Sequence, residues 1–234
     1  MAHSLKWIAA ALGAGLVLPG PAWAQEAKPL SVVFNVGAAT DYVFRGLSRT
    51  DGGAEIYGGL DTTLGAIGYA GLWLSNVELG NGKEAEYDLY GGVRPILGPV
   101  TLDLGFTYNG FTHSPAGRHE DYVEWKIAPS MPIGPATVGL AYFYSDDFLG
   151  KTGPANYLEL NASMPIARTP FSISGALGHQ QVKGPLDYST WNLGVGYALN
   201  SHIGFDLRYW DTDEHSFGSI YKSKVVLGVK ATFP

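Results

Sequence analysis

The 234-residue sequence contains no cysteine, which excludes disulfide bonds and thiol chemistry. Small secreted domains often depend on disulfides, so this chain must hold its fold together in another way. Its formal net charge of −6 argues against nucleic acid as a partner. No segment after residue 24 has a convincing amphipathic helical pattern. These absences point away from a disulfide-rich module, a nucleic-acid-binding protein and a helical domain.

The first 24 residues have the pattern of a secretory signal peptide. A lysine provides the positive start, Trp7–Leu18 forms the apolar run, and Ala22–Ala24 is a small-x-small cleavage site. A membrane-spanning helix needs ~20 apolar residues, and Pro19–Pro21 ends this run too early. We therefore expect Met1–Ala24 to be removed and Gln25–Pro234 to form one domain.

The sequence is rich in alternating stretches of about ten residues, in which every second side chain is apolar. In Val100–Gly110, large apolar residues alternate with threonine, aspartate, glycine and asparagine. A side-chain period of two is that of a β-strand with one apolar and one polar face. Such segments cover residues 31–46, 53–64, 68–78, 84–95, 99–111, 119–130, 135–146, 155–165, 170–182, 187–199, 202–211 and 220–233. Transmembrane β-barrels have this pattern, with the apolar face in lipid and the polar face in the lumen.

The connections between these segments alternate in kind. Every second one is short and rich in proline and glycine, as in Pro95–Pro99, Pro132–Pro135 and Pro165–Pro170. The intervening connections are more polar, and short turns at one rim with longer loops at the other are typical of outer-membrane barrels. We predict an all-β fold, a transmembrane antiparallel up-and-down β-barrel of about 12 strands, although ten or fourteen strands also fit the alternation.

Several motifs resemble those of the TorF-type family of outer-membrane porins. They are the run Phe34–Ser48, the segment Glu55–Asp61, the residues around Trp73, the segment Glu86–Gly92 and the segment Asp206–Asp213. The resemblance covers nearly the whole chain after the signal peptide. It implies an outer-membrane barrel and favours pore activity, and it assigns neither a substrate nor a site.

The alternation also places charged residues on the polar face. The predicted fourth to sixth strands give an acidic wall of Glu84, Glu86, Asp88, Asp103, Glu120 and Glu124. The first, eleventh and twelfth give a basic wall of Arg45, Arg208, Lys222, Lys224 and Lys230. In a ring of twelve strands the two walls face each other, so we expect a transverse field that orients dipolar solutes.

The same charges could instead pair with neighbours and fill the lumen. Asp41 with Arg45, and Asp206 with Arg208, lie two residues apart on one face of a strand and are candidates for such pairs. Barrels of about 8 strands are filled by side chains, whereas those of about 16–18 contain a water channel, and twelve lies between.

No pattern of residues indicates catalysis, a cofactor or a metal. His113-Ser114 and His215-Ser216 lie in predicted loops, and the six histidines have no metal-ligand spacing. Gly91-Gly92 lacks the strand–loop–helix context of a phosphate cradle. We therefore predict no catalytic, cofactor-binding or metal site, and a protein that is not an enzyme.

Together these observations predict a porin in the outer membrane of a Gram-negative cell. It would pass small hydrophilic solutes by diffusion through a narrow charged lumen, with Tyr57, Trp73, Tyr90 and Trp210 as candidate constrictions. Its partners would be outer-membrane lipid, small hydrophilic solutes or ions, and the outer-membrane insertion machinery, with no nucleic acid. The alternative is a plugged barrel with a structural or ligand-binding role through its extracellular loops.

Overall fold

The computed structural model describes residues 30–79, 83–112, 121–184 and 186–234, except for the side chains of Lys83 and Glu84. The predicted signal peptide lies outside the described residues. Within these ranges the helices are three short 3-10 turns, and none is long and apolar enough to cross a membrane.

Twelve long antiparallel strands form one closed barrel, as predicted. They are β1 (Leu30–Ala39), β4 (Glu55–Leu64), β5 (Gly68–Glu78), β6 (Lys83–Val93), β8 (Val100–Phe111), β9 (Tyr122–Ile133), β10 (Ala136–Ser145), β11 (Ala155–Pro165), β12 (Phe171–Val182), β13 (Tyr188–Ala198), β14 (Ile203–Thr212) and β15 (Lys224–Phe233). Three two-residue strands accompany them: β2 (Val43–Phe44), β3 (Leu47–Ser48) and β7 (Ile96–Leu97). Each long strand pairs with the next one along the chain, and β1 pairs with β15 to close the ring. Closure leaves no long strand with an unpaired edge, which stabilises a fold without disulfides.

The alternation of side chains gives the barrel an apolar exterior and a polar interior. On β9, for example, Trp125 and Ile127 are 58% and 53% exposed on the outside, whereas Glu124 and Lys126 are buried inside. A soluble barrel would place the apolar face inside and the charges outside. An apolar exterior with a polar interior is the arrangement of a barrel that is surrounded by lipid.

The predicted bounds are confirmed for β5 and β11, differ by one or two residues for most other strands, and are wrong by three residues or more in β1, β9 and β15. Strand β1 ends at Ala39, although the alternation continued to residue 46. Strand β15 begins at Lys224 and not at residue 220, because a 3-10 turn precedes it. Strand β9 begins at Tyr122 and extends to Ile133, beyond the predicted end at residue 130. In each case the period of two identifies a segment of alternating polar and apolar residues. It does not show at which residue the hydrogen-bonded ladder of the barrel begins or ends.

The residues that follow β1 continue the alternation but form a separate structure, which we call the inner hairpin (residues 40–54). Its strands β2 and β3 pair with each other and with no barrel strand. The turn residues Arg45 and Gly46 have φ values of 50° and 87°, as in the turns that favour tight hairpins. Tyr42 and Val43 are each 4% exposed. The predicted strand 31–46 would place Tyr42 in phase with Phe34 on the outside of the barrel, and that position is wrong because the inner hairpin folds into the lumen.

The inner hairpin enters at the end of the barrel where the longer connections lie, which we call the outer end. There Tyr42 packs in a buried cluster with Val77, Phe111 and Tyr122. Its ring centroid is 5.2 Å from that of Trp73 on β5. The apolar core of this molecule therefore sits inside the outer end of the barrel, whereas the opposite end has a polar interior.

Candidate functional site in the barrel lumen

Arg45 of the inner hairpin binds the barrel wall at two places. Its Nη1 and Nη2 atoms donate to the Glu124 carboxylate at 2.8 and 3.0 Å, and Nη1 also donates to Gln180 Oε1 at 3.0 Å. The guanidinium carbon lies 4.7 Å and 4.3 Å from the ring centroids of Phe143 and Tyr157. Arg45 thus connects β9 to β12 through the lumen.

Arg49 makes the corresponding contacts on the other side of the inner hairpin. Its Nη1 atom donates to Glu86 Oε1 at 2.6 Å, and its Nη2 atom donates to the Tyr122 hydroxyl at 2.9 Å. The Phe44 ring lies between the two arginines, 4.6 Å from the guanidinium carbon of Arg45 and 4.1 Å from that of Arg49. Burial alone would lower the pKa of the Arg49 guanidinium, but Glu86 and Tyr122 hold it above its ordinary value. Both arginines are therefore fixed cations inside the barrel.

These contacts correct the predicted position of Arg45. It does not join the basic wall, because the chain leaves the barrel ladder at Ala39 and carries Arg45 to the acidic side. It also does not pair with Asp41, which accepts hydrogen bonds from the Ser48 and Thr50 hydroxyls at 2.6 and 2.9 Å. Burial raises the pKa of the Asp41 carboxyl, although these two hydrogen bonds oppose the shift.

The acidic residues of the outer end form a buried group, which we call the carboxylate cluster (Glu86, Asp88 and Glu124). Their exposed fractions are 0%, 4% and 5%. Two of their oxygens, Glu86 Oε2 and Asp88 Oδ1, have no hydrogen-bond partner among the described residues. The Asn109 amide nitrogen, across the ladder from Asp88, is likewise unpartnered within those ranges. The cluster is therefore an incompletely satisfied polar site.

Of the remaining acidic residues of the predicted wall, only Asp103 has a described side chain. Asp103 accepts hydrogen bonds from Tyr69, Arg94 and Lys126 at 2.7, 3.0 and 2.9 Å. The cations Arg94 and Lys126 come from the adjacent strand end and strand, so Asp103 is neutralised on its own side. Sequence reasoning missed this grouping, although inward positions on neighbouring strands are the signal that could have shown it. Glu84 belongs to β6 but its side chain is outside the described residues, as is the whole of Glu120.

On the opposite side, Arg208 confirms the predicted pairing with Asp206. Its Nε and Nη2 atoms each donate to the Asp206 carboxylate at 3.0 Å. The same guanidinium donates to Asn192 Oδ1 at 2.6 Å and to the Ser174 hydroxyl at 2.8 Å. Arg208 therefore binds three strands and lies along the wall.

The three predicted lysines near the C-terminus differ in their environment. Lys224 faces inward and donates to the backbone carbonyls of Gly46 and Ile220 at 2.9 and 2.7 Å. Lys230 faces inward on β15, opposite Gly37 of β1. Lys222 lies before β15 and is exposed, so its predicted position on the last strand is wrong.

Several large inward side chains lie flat against the wall, each over a glycine of the neighbouring strand. A methyl group added at Gly71 would overlap the Tyr90 ring. The same relation holds for the pairs Gly37 with Tyr57, Gly92 with Tyr69, Gly178 with Tyr157, and Gly194 with Arg208. The glycines therefore provide space at the wall, which directs these groups along the lumen surface and away from its centre.

Of the four candidate constrictions, Tyr57 and Tyr90 belong to this flat arrangement. Trp73 packs against the inner hairpin, and Trp210 is buried on β14 with an exposed fraction of 5%. The part of the lumen that the chain itself fills is the outer end, through the inner hairpin. Across the described ranges, no group of three or more His, Cys, Asp and Glu residues could hold a metal ion.

Solved structures with this arrangement of strands are outer-membrane porins and channels. The KdgM porin has a TM-score of 0.62 at 10% identity, with 86% of this chain and 99% of that chain covered. The NanC porin has a TM-score of 0.58 at 9% identity, with coverages of 87% and 100%. The COG4313 outer membrane channel from Pseudomonas putida F1 has a TM-score of 0.54 at 12% identity, with coverages of 93% and 99%. At these identities the likeness establishes the fold.

A search of curated protein sequences finds no match to this chain. A family profile covers residues 23–233, which include all of the barrel. The chain therefore belongs to the family Gcw_chp, described as bacterial proteins of unknown function.

Proposed function

We propose that this protein is an outer-membrane porin through which small hydrophilic solutes and ions diffuse along a narrow charged lumen. The observation that carries the proposal is the polar, charged interior of a closed twelve-stranded barrel whose exterior is apolar. The KdgM, NanC and COG4313 neighbours support it through the shared fold. The resemblance to TorF-type porins supports it as well.

The same proposal includes the location and assembly of the protein. Met1–Ala24 acts as a secretory signal peptide, and Gln25–Pro234 inserts into the outer membrane through the insertion machinery. The longer connections, and with them the inner hairpin, face the cell exterior, because outer-membrane barrels have short periplasmic turns. Lipid contacts the apolar exterior, and hydrophilic solutes contact the lumen.

The lumen carries a transverse field in this proposal. The carboxylate cluster lies on β6 and β9, and Arg208, Lys224 and Lys230 lie on β14 and β15, which are roughly opposite in the ring. Arg45 and Arg49 reduce the negative charge of the acidic side. The remaining difference in charge between the two sides of the lumen gives cations and anions different paths.

Single-channel recording of the refolded protein in a planar bilayer, with a salt gradient, tests the proposal. Discrete conductance steps with a non-zero reversal potential are the expected result. Insertion is checked independently by protection of the strands from protease. A folded and inserted barrel that conducts no current would contradict the porin function.

A second function, a plugged barrel that acts through its outer surface, is favoured by the buried inner hairpin. Tyr42, Arg45 and Arg49 are each no more than 7% exposed, so the hairpin fills its part of the outer end. In that case the barrel would be silent in the recordings, and removal of the inner hairpin would be required before any current appeared.

A further inference from the structure

We propose that the outer end of the lumen is a binding site for the cationic group of a solute, a guanidinium or a primary ammonium. In this proposal Arg45 and Arg49 are tethered occupants of the site, and the solute exchanges with them. The inference names a substrate class for the porin and rests on that function for the route of the solute. Binding itself does not require conduction.

The first argument is the balance of charge. Three buried carboxylates, Glu86, Asp88 and Glu124, meet two guanidinium groups at this level of the barrel. The oxygens Glu86 Oε2 and Asp88 Oδ1 have no partner among the described residues, and both side chains are more than nine-tenths buried. A buried acceptor without a donor destabilises a structure, so the cluster has free acceptors for the N–H groups of one more cation.

The second argument is that the wall already recognises this chemistry. Glu124 binds the Arg45 guanidinium through two parallel hydrogen bonds, the geometry that carboxylates offer to guanidinium ions. Aromatic faces of the wall complete both sites, with Tyr157 of β11 at 4.3 Å from the Arg45 guanidinium carbon and Phe111 of β8 at 5.7 Å from that of Arg49. Carboxylates combined with aromatic faces bind organic cations.

The third argument is that the inner hairpin lies outside the barrel ladder, and among the described residues backbone–backbone hydrogen bonds join it to the barrel only at Thr40 and Arg49. Its strands β2 and β3 pair only with each other within the described sheet topology. Arg45 has a φ of 50°, a left-handed conformation at which glycine or asparagine is preferred and arginine is strained. Arginine occupies this turn position for its side chain, and its release relieves the strain.

Calorimetric titration of the purified, refolded barrel in detergent micelles tests the site directly. The probe is methylguanidinium chloride, and tetramethylammonium chloride is the control because it carries the same charge but donates no hydrogen bond. We expect methylguanidinium to bind and tetramethylammonium to bind far more weakly. Asp88→Asn, which keeps the shape of the side chain, should weaken methylguanidinium binding by about tenfold or more.

Glu159→Gln is the matched control variant. Glu159 also faces the lumen, but Tyr157 and Asn161 each donate a hydrogen bond to it, at 2.9 and 3.0 Å. Its neutral variant should bind methylguanidinium as the wild type does. Equal weakening by both variants would show a general effect of lumen charge and would overturn the site.

A variant of the occupant provides a second measurement. Arg49→Ala removes one tethered guanidinium from Glu86, so methylguanidinium should bind about tenfold more tightly because it no longer competes with a group of the chain. Unchanged affinity would contradict the occupant role of Arg49. If this variant does not fold, Asp88→Asn still decides the presence of the site.

The outcomes for the site and for the porin function are separable. A conducting barrel that binds no methylguanidinium overturns the inference and leaves the porin function standing. A silent barrel that binds methylguanidinium through Asp88 supports the site and contradicts the porin function. A silent barrel without binding overturns both.

Discussion

The two halves of the lumen are organised in different ways. In the outer half, a segment from the first connection crosses the interior and fixes itself with buried ion pairs to Glu86 and Glu124. In the inner half, charged and aromatic side chains lie along the wall. Asp103 forms an ion pair with Lys126, and the Tyr90 ring packs against Gly71. One half is filled by contacts that cross the lumen, and the other is lined by contacts between strands that are one or two positions apart in the ring.

This difference indicates how a twelve-stranded barrel can adjust its own width. The number of strands sets the diameter of a barrel. A barrel of twelve strands has a diameter between that of the barrels that side chains fill and that of the barrels that contain a water channel. Glycines beneath large rings preserve space in the inner half, whereas the inner hairpin reduces it in the outer half. The filling of the outer half therefore comes from a segment outside the barrel ladder, whereas the barrel itself is common to both halves.

Removal of the inner hairpin should have the largest effect on this comparison. If residues 42–51 are replaced by a short turn, the outer half loses its filling, and we expect a several-fold rise in single-channel conductance. A Gly-Ser segment of the original length controls for the loss of the turn itself and should also raise the conductance. Wild-type conductance in both variants would show that the hairpin does not limit flow.

Loss of one buried arginine should destabilise the outer half strongly. Arg49→Met keeps the volume but leaves Glu86 ionised and unpaired, which should lower the free energy of unfolding by about 3–5 kcal/mol. Arg49→Met combined with Glu86→Gln should recover most of that loss, because neither partner of the broken pair is then charged. Urea unfolding of the barrel in lipid vesicles compares both variants with the wild type. A double variant as unstable as Arg49→Met would disprove a dominant role for the ion pair.

In the inner half, the pair of Gly71 and Tyr90 can be tested by adding one methyl group. Gly71→Ala should displace the Tyr90 ring from the wall, destabilise the barrel by about 1–3 kcal/mol and lower its conductance. Gly71→Ala with Tyr90→Ala should restore the conductance. Gly58→Ala is the control, since its added methyl group would lie 3.4 Å from the Asn35 carbonyl oxygen, an ordinary contact. A smaller effect at Gly71 than at Gly58 would contradict the role of the glycine.

The contrast between the halves also explains which features the sequence could predict. The period of two indicated about twelve strands, each with one apolar and one polar face, because every barrel strand obeys it. The signal peptide, the alternating connections and the resemblance to porins indicated that the polar face lies inside. The period of two failed at residues 40–46, where the inner hairpin has the same period but its apolar residues pack inside the lumen. The bonds of Arg45 to Glu124 and Gln180 join residues 79 and 135 positions apart, and no local pattern encodes such distances. The pairing of Asp206 with Arg208 was a candidate because both lie on one face of one strand, and the same reasoning failed for Asp41 with Arg45, which lie in the inner hairpin.

The smallest expected effect concerns a single lysine of the lumen. Lys230 faces inward on β15, whereas Lys222 is exposed before that strand, so the two lysines form a matched pair. Lys230→Gln should shift the reversal potential toward greater cation selectivity, and Lys222→Gln should leave it nearly unchanged. The shift should be larger in 0.01 M than in 1 M salt, because the screening length falls from about 30 Å to about 3 Å. Equal shifts for both lysines would mean that selectivity reflects the charge of the outer surface, and the lumen field would then have no part in it.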